Sequence, residues 1–140
     1  YNPLSVLKQR NISMVKIDNY DKQIKEIAMS KGSYMSNAKW SKLLKAVAES
    51  DIKYIESEVF AKDLVCDTYW HIRLADYLGD GKYTADGIAG PIRTKDIEYI
   101  IIPFVSINEL SRMNDLIEKM GKLEYDIDSK KLTIKIFGYR

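Results

Sequence analysis

Four large apolar residues in succession, Tyr99-Ile100-Ile101-Ile102, with Phe104 just past Pro103, constrain this chain more than any other feature. A strand that is apolar at every position has no side to turn to water, so both of its faces must be covered. The run predicts a strand over Asp96 to Phe104, ended by Pro103 and placed near the centre of a sheet with helices over it.

The flanking patterns supply those helices and the remaining strands. Tyr20, Ile24, Ile27 and Ala28 share one helical face, with Asp18 or Asn19 as cap and Gly32 as stop. Next, Ser36 or Asn37 caps a helix whose Trp40, Leu43, Leu44 and Val47 recur at i, i+3, i+4 and i+7, with Lys39, Lys42 and Lys45 on the other side. Ile52 to Phe60 reads as a bulged or edge strand and Tyr69 to Leu74 as a second, aromatic-rich one. Ser106 with Glu109 forms a capping box for a helix that shows Leu110, Met113, Leu116, Ile117 and Met120 on one face and stops at Gly121. Leu123 to Ile127 and Leu132 to Phe137 form a hairpin around Asp128-Ser129-Lys130-Lys131. The order is α-α-β-β-β-α-β-β, which predicts an α+β fold: two N-terminal helices, a mostly antiparallel sheet of about five strands, and a further helix before the C-terminal hairpin.

At 140 residues the chain fits a single domain, with residues 1–32 as a possible N-terminal extension to it. No window approaches about 18 apolar residues in a row, so no spanning helix is expected. The single cysteine, Cys66, cannot form an internal disulfide and suits a reducing compartment, which makes cytoplasmic the expected location. Net charge is only +2, but residues 1–50 hold nine Lys/Arg against four Asp/Glu, whereas residues 63–98 hold four against seven.

The acidic stretch contains the segment YLGDGKYTADGIAGPIRT (77–94), which has four of the chain's seven glycines and one of its three prolines. A polar loop held between two apolar runs is where binding residues tend to sit. Ten tyrosines are present, and Tyr and Arg favour interfaces because they bring area together with a polar tip. The candidate binding residues are therefore Arg73, Asp76, Tyr77, Asp80, Tyr83, Asp86 and Arg93.

Catalytic and cofactor signatures are weak. The lone histidine, His71, lies inside a strand pattern, and no nucleophile-elbow context surrounds Cys66 or any serine. A structural zinc site draws on Cys and His, of which the chain has two in all, and Asp76, Asp80 and Asp86 do not follow calcium-loop spacing. Gly79-Asp80-Gly81 matches no phosphate-binding motif. No catalytic residue, metal ligand or cofactor is expected. The leading reading is a non-enzymatic module that binds another protein. One alternative is a small-ligand binder or hydrolase, with Asp80, Asp86 and Arg93 around His71 as base. Another is nucleic-acid binding through the basic first 50 residues.

Three segments, Ser33-Tyr34-Met35-Ser36-Asn37-Ala38-Lys39-Trp40, Gly90-Pro91-Ile92 before Asp96-Ile97-Glu98, and Ile134-Lys135-Ile136-Phe137-Gly138-Tyr139-Arg140, together resemble a family of small bacterial proteins of unknown function. In that family an S-x-M-S-N-x-K-W segment opens the main helix and the chain closes on I-x-I-x-G-Y-R. The resemblance spans most of residues 33–140 and implies no catalytic residues. It implies an immunity-like or toxin-accessory role, with a protein as partner.

Overall fold

The computed structural model describes residues 14–65, 69–74 and 93–140, with side chains from Asn19 onward. Within them three helices, α1 (Met14–Ser30), α2 (Asn37–Glu49) and α3 (Ile107–Lys119), accompany five strands. The strands are β1 (Phe60–Asp63), β2 (Tyr69–His71), β3 (Ile97–Pro103), β4 (Tyr125–Asp128) and β5 (Thr133–Phe137). They form one antiparallel sheet in the order β2-β1-β3-β5-β4. The architecture is the expected α+β one, and the apolar run is its central strand.

Alternation divides β3 between two faces. Ile100 and Ile102 point toward α2 and α3, where they join Ala61, Trp70, Ile134 and Ile136 in a core with Trp40, Leu43, Leu44, Val47, Leu110, Met113 and Ile117. Every residue of the predicted α2 stripe is buried there. Tyr99 and Ile101 point the other way. On that second face Tyr99 is buried and Ile101 half-buried. A register shift between Lys62 and Asp63 makes Glu98 an extra residue on β3, turning its side chain to the same side as Tyr99 while Ile97 stays in the core.

Two expectations change. The strand read over Ile52 to Phe60 does not form: Tyr54 makes only an isolated bridge to Phe104, Glu56–Glu58 is a single 3-10 turn, and pairing begins at Phe60. At the start of α3, the Ser106 hydroxyl accepts from the Glu109 backbone N–H, but Glu109 does not complete the box. Its carboxylate accepts instead from the Lys53 backbone N–H at 2.8 Å, tying α3 to the segment before β1.

Candidate functional site

The described links of α1 to the sheet gather at one sheet end, where β1 and β5 finish and β3 begins. The Tyr20 hydroxyl donates to the Asp63 carboxylate, whose other oxygen accepts from the Val65 N–H at 2.7 Å. Arg93 donates through Nε to Asp96 and through a terminal nitrogen to Asp21, both at 2.7 Å, and its guanidinium lies 5.9 Å from the centre of the Tyr20 ring. Thr94 donates to Asn37 at 2.9 Å, joining this corner to the first turn of α2.

The electrostatics follow from burial. Asp96 is 1% exposed, and one of its carboxylate oxygens has no hydrogen-bond partner. Burial pushes its pKa up, against the pull of Arg93, and the nearby Asp63 charge pushes the same way. The hydrogen bond from Arg93 holds Asp21 below the usual carboxylate range. Burial alone would lower the Arg93 pKa, but its bonds to Asp21 and Asp96 raise it well above the ordinary value. Burial, with a smaller contribution from Asp96, raises that of Tyr139.

The described parts of the three segments singled out in the sequence, Ser33 to Trp40, Asp96 to Glu98 and Ile134 to Arg140, meet at this corner. Ser36 caps α2 by accepting from the Lys39 N–H, and Ser33 bridges to Tyr139. The Glu98 carbonyl accepts from the N–H groups of Gly138 and Tyr139, the Tyr139 hydroxyl donates to the Lys95 carbonyl, and Gly32 and Arg140 exchange two backbone bonds. Described residues about a hundred positions apart are thus joined in one hydrogen-bonded knot. Its visible work is to fasten α1, α2 and the last strand to the start of β3.

The second face of the sheet is the other candidate. Register places Tyr69, Lys62, Tyr99 and Phe137 in one row and His71, Phe60, Ile101, Lys135 and Asp126 in the next. Tyr69 is 46% exposed and shares a 2.7 Å hydrogen bond with the Tyr99 hydroxyl. Tyr99 and Phe137 pack edge-on at 5.7 Å and are each only 8% exposed, because cations lie over them. Lys135 Nζ stands 4.5 Å from the Tyr99 centroid and the Arg140 guanidinium 4.4 Å from that of Phe137. Acids answer the cations: Lys62 pairs with Glu98, and Arg140 with Glu124 and Asp126.

Of the residues singled out from sequence, Asp76, Tyr77, Asp80, Tyr83 and Asp86 lie outside the described residues, as does Cys66. Arg73 is exposed, two residues past His71. Since the Ile72 N–H bonds to the Val59 carbonyl and the Leu64 N–H to that of Asp96, Arg73 and Arg93 stand near opposite ends of β1. His71 lies opposite Phe60, away from the Asp63–Asp96 corner. Tyr20, Asp63, Asp96 and Asn37 carried no sequence signal for this corner, because they come together only through strand pairing. Among the described residues no three His, Cys, Asp or Glu side chains form a metal cage, and no helix is long and apolar enough to cross a membrane. Comparison with protein-family models, curated proteins and solved structures gave no match.

Proposed function

We propose that this chain is a non-enzymatic module that holds a protein partner against the face of its sheet that carries Tyr69 and Tyr99. The observation that supports this reading is Tyr69, an exposed ring on the edge strand whose hydroxyl shares a 2.7 Å hydrogen bond with Tyr99, beside the cations Lys135 and Arg140 that cover Tyr99 and Phe137. Tyr and Arg at a preordered surface bring contact area at low entropic cost, which is the chemistry of protein interfaces. The balance of acids and bases on this face speaks against a phosphate-tracking groove, and Lys135 and Arg140 lie where stacked bases would go. In its most specific form the partner is a bacterial toxin and the setting the bacterial cytoplasm, as the motif resemblance implies.

The test is capture of partners from a lysate of the source organism, with and without nuclease treatment, on immobilised wild-type chain and on folded Tyr69→Ala. Retention of one protein by the wild type and its loss by the variant is the expected result. Equal retention on both, or retention that disappears with nuclease, would remove the reading.

A further inference from the structure

We propose that the groove between α2 and α3 binds a medium-chain organic carboxylate, its apolar chain along the groove and its charged end between Lys42 and Lys119. The inference starts from the course of the two helices. Asn37 opens α2 beside the start of β3, where it accepts from Thr94 at 2.9 Å. Just past the far end of α2, the Lys53 N–H bonds to Glu109 in the first turn of α3. α3 begins beyond the end of β3 and finishes shortly before Glu124, whose carbonyl accepts from the Phe137 N–H back at the first end of the sheet. The two helices therefore run in opposite directions.

Between them lies a groove of about 530 Å³, a volume in the range of small-ligand sites. Its floor is apolar: Ile52 is buried, and Ala46, Leu116 and Met120 are half-buried. At one end Arg112 reaches from α3 to Asp51, just past α2, and also pairs with Glu109, so the charges there answer one another. At the other end stand Lys42 and Lys119, both exposed and in no ion pair among the described residues. Lys42 precedes Ser50 by eight residues and Lys119 follows Arg112 by seven, which at the helical rise puts each about 10–12 Å from the paired end.

This arrangement selects a ligand by shape and by sign. An apolar chain of that length displaces water from Ile52, Leu116 and Met120, while each lysine lays its methylenes on the rim and turns its ammonium to the carboxylate. The unpaired charges of the lining are Lys42, Lys119 and Asp115, so cations prevail. The positive N-terminal end of α2 and the negative C-terminal end of α3 lie together there and offset one another, which leaves the lysines to set the sign. A protein helix would have to continue past the Arg112–Asp51 bridge, whereas a chain that stops short of it does not. The groove lies on the Ile100 and Ile102 side of the sheet, away from Tyr69 and Tyr99, so the inference stands apart from the protein-binding reading.

The experiment is calorimetric titration of decanoate, below its micellar concentration, into the full chain at low salt. Decyltrimethylammonium is the counter-probe, and the methyl resonances of Ala46, Leu116 and Met120 are the second readout. The wild type is expected to bind one equivalent of decanoate with shifts of those methyls, and to bind decyltrimethylammonium at least tenfold more weakly. The double variant Lys42→Gln/Lys119→Gln should weaken decanoate at least fivefold, whereas Lys45→Gln, on α2 but outside the groove, should leave it unchanged. If the double variant fails to fold, the two probes and the methyl shifts of the wild type still decide. No saturable decanoate binding, equal affinity for the two head groups, shifts confined to other methyls, or an equal loss in Lys45→Gln would overturn the proposal. So would shifts of the groove methyls only on raising the protein concentration or on adding an acidic amphipathic peptide, which would give the groove to a second copy or to a protein helix.

Discussion

Gly138 lies so close to Ile97 that a β-carbon on it would stand 2.4 Å from the Ile97 carbonyl oxygen and 3.1 Å from the Trp40 ring. The obstacle is backbone of the central strand on one side and a fully buried indole on the other, and neither can yield cheaply. Gly138→Ala is therefore expected to destabilise the fold by about 1–3 kcal/mol, the usual cost of overpacking a core. Gly121 is the control. It meets no atom within 4 Å but sits at φ 102°, so Gly121→Ala should cost only about 1 kcal/mol through backbone strain. Urea unfolding with an unchanged slope measures both. A Gly138→Ala protein as stable as wild type would show that the last strand does not press on β3.

The Thr94–Asn37 hydrogen bond tests whether the motif corner acts as a knot. Thr94 is fully buried, and Asn37 is the first residue of α2. Thr94→Val and Asn37→Ala each remove one partner, and a double-mutant cycle isolates their coupling. A coupling of about 1 kcal/mol is expected for a shielded neutral hydrogen bond. Strict additivity would mean that α2 is held by its apolar stripe alone.

How much of this was readable beforehand depends on whether a signal was local. The α2 stripe, the α3 stripe, the terminal hairpin and β3 are written in spacings of two to four residues, and the structure follows them. β1 was not readable, because Phe60-Ala61-Lys62-Asp63 has little apolar content of its own and becomes a strand only by pairing with β3. The capping box at Ser106 was read from a local pattern but half overridden, since Glu109 found a tertiary partner in the Lys53 N–H. The polar corner was invisible for the same reason. Tyr20 and Asp63 are 43 positions apart, and Arg93 and Asp21 are 72 apart. No composition window spans such distances.

Lys135 should contribute through its charge as well as its stem. Its Nζ stands 4.5 Å from the centre of the Tyr99 ring, and the methylenes of a lysine cover apolar surface beneath such a charge. Lys135→Met keeps the stem and loses the cation, so it is expected to cost about 0.5–1 kcal/mol. Lys135→Ala also uncovers the ring and should cost more. Equal stability of Lys135→Met and wild type in urea unfolding would leave packing as the whole contribution.

The last prediction concerns pH and follows from the unequal fates of two carboxylates. Burial raises the Asp96 pKa in the folded chain above its unfolded value, so folding favours the protonated form. Its contribution to stability is therefore most favourable in acid, diminishes as pH rises from the unfolded value of about 3.9 through the folded one, and is constant beyond. Asn in the same place can still accept from Arg93 but cannot ionise. The stability of Asp96→Asn relative to wild type should accordingly increase with pH across the carboxylate range and then level off. Asp21 works in the opposite sense: its lowered pKa supplies stability that is lost as pH falls. Because Asp21 is present in both proteins, its effect largely cancels in the difference, provided Arg93 keeps that bond. Urea midpoints of the two proteins between pH 3 and 7 measure the difference directly. A flat or falling difference would mean that Asp96 pays no net cost for its burial and that Arg93 compensates it in full.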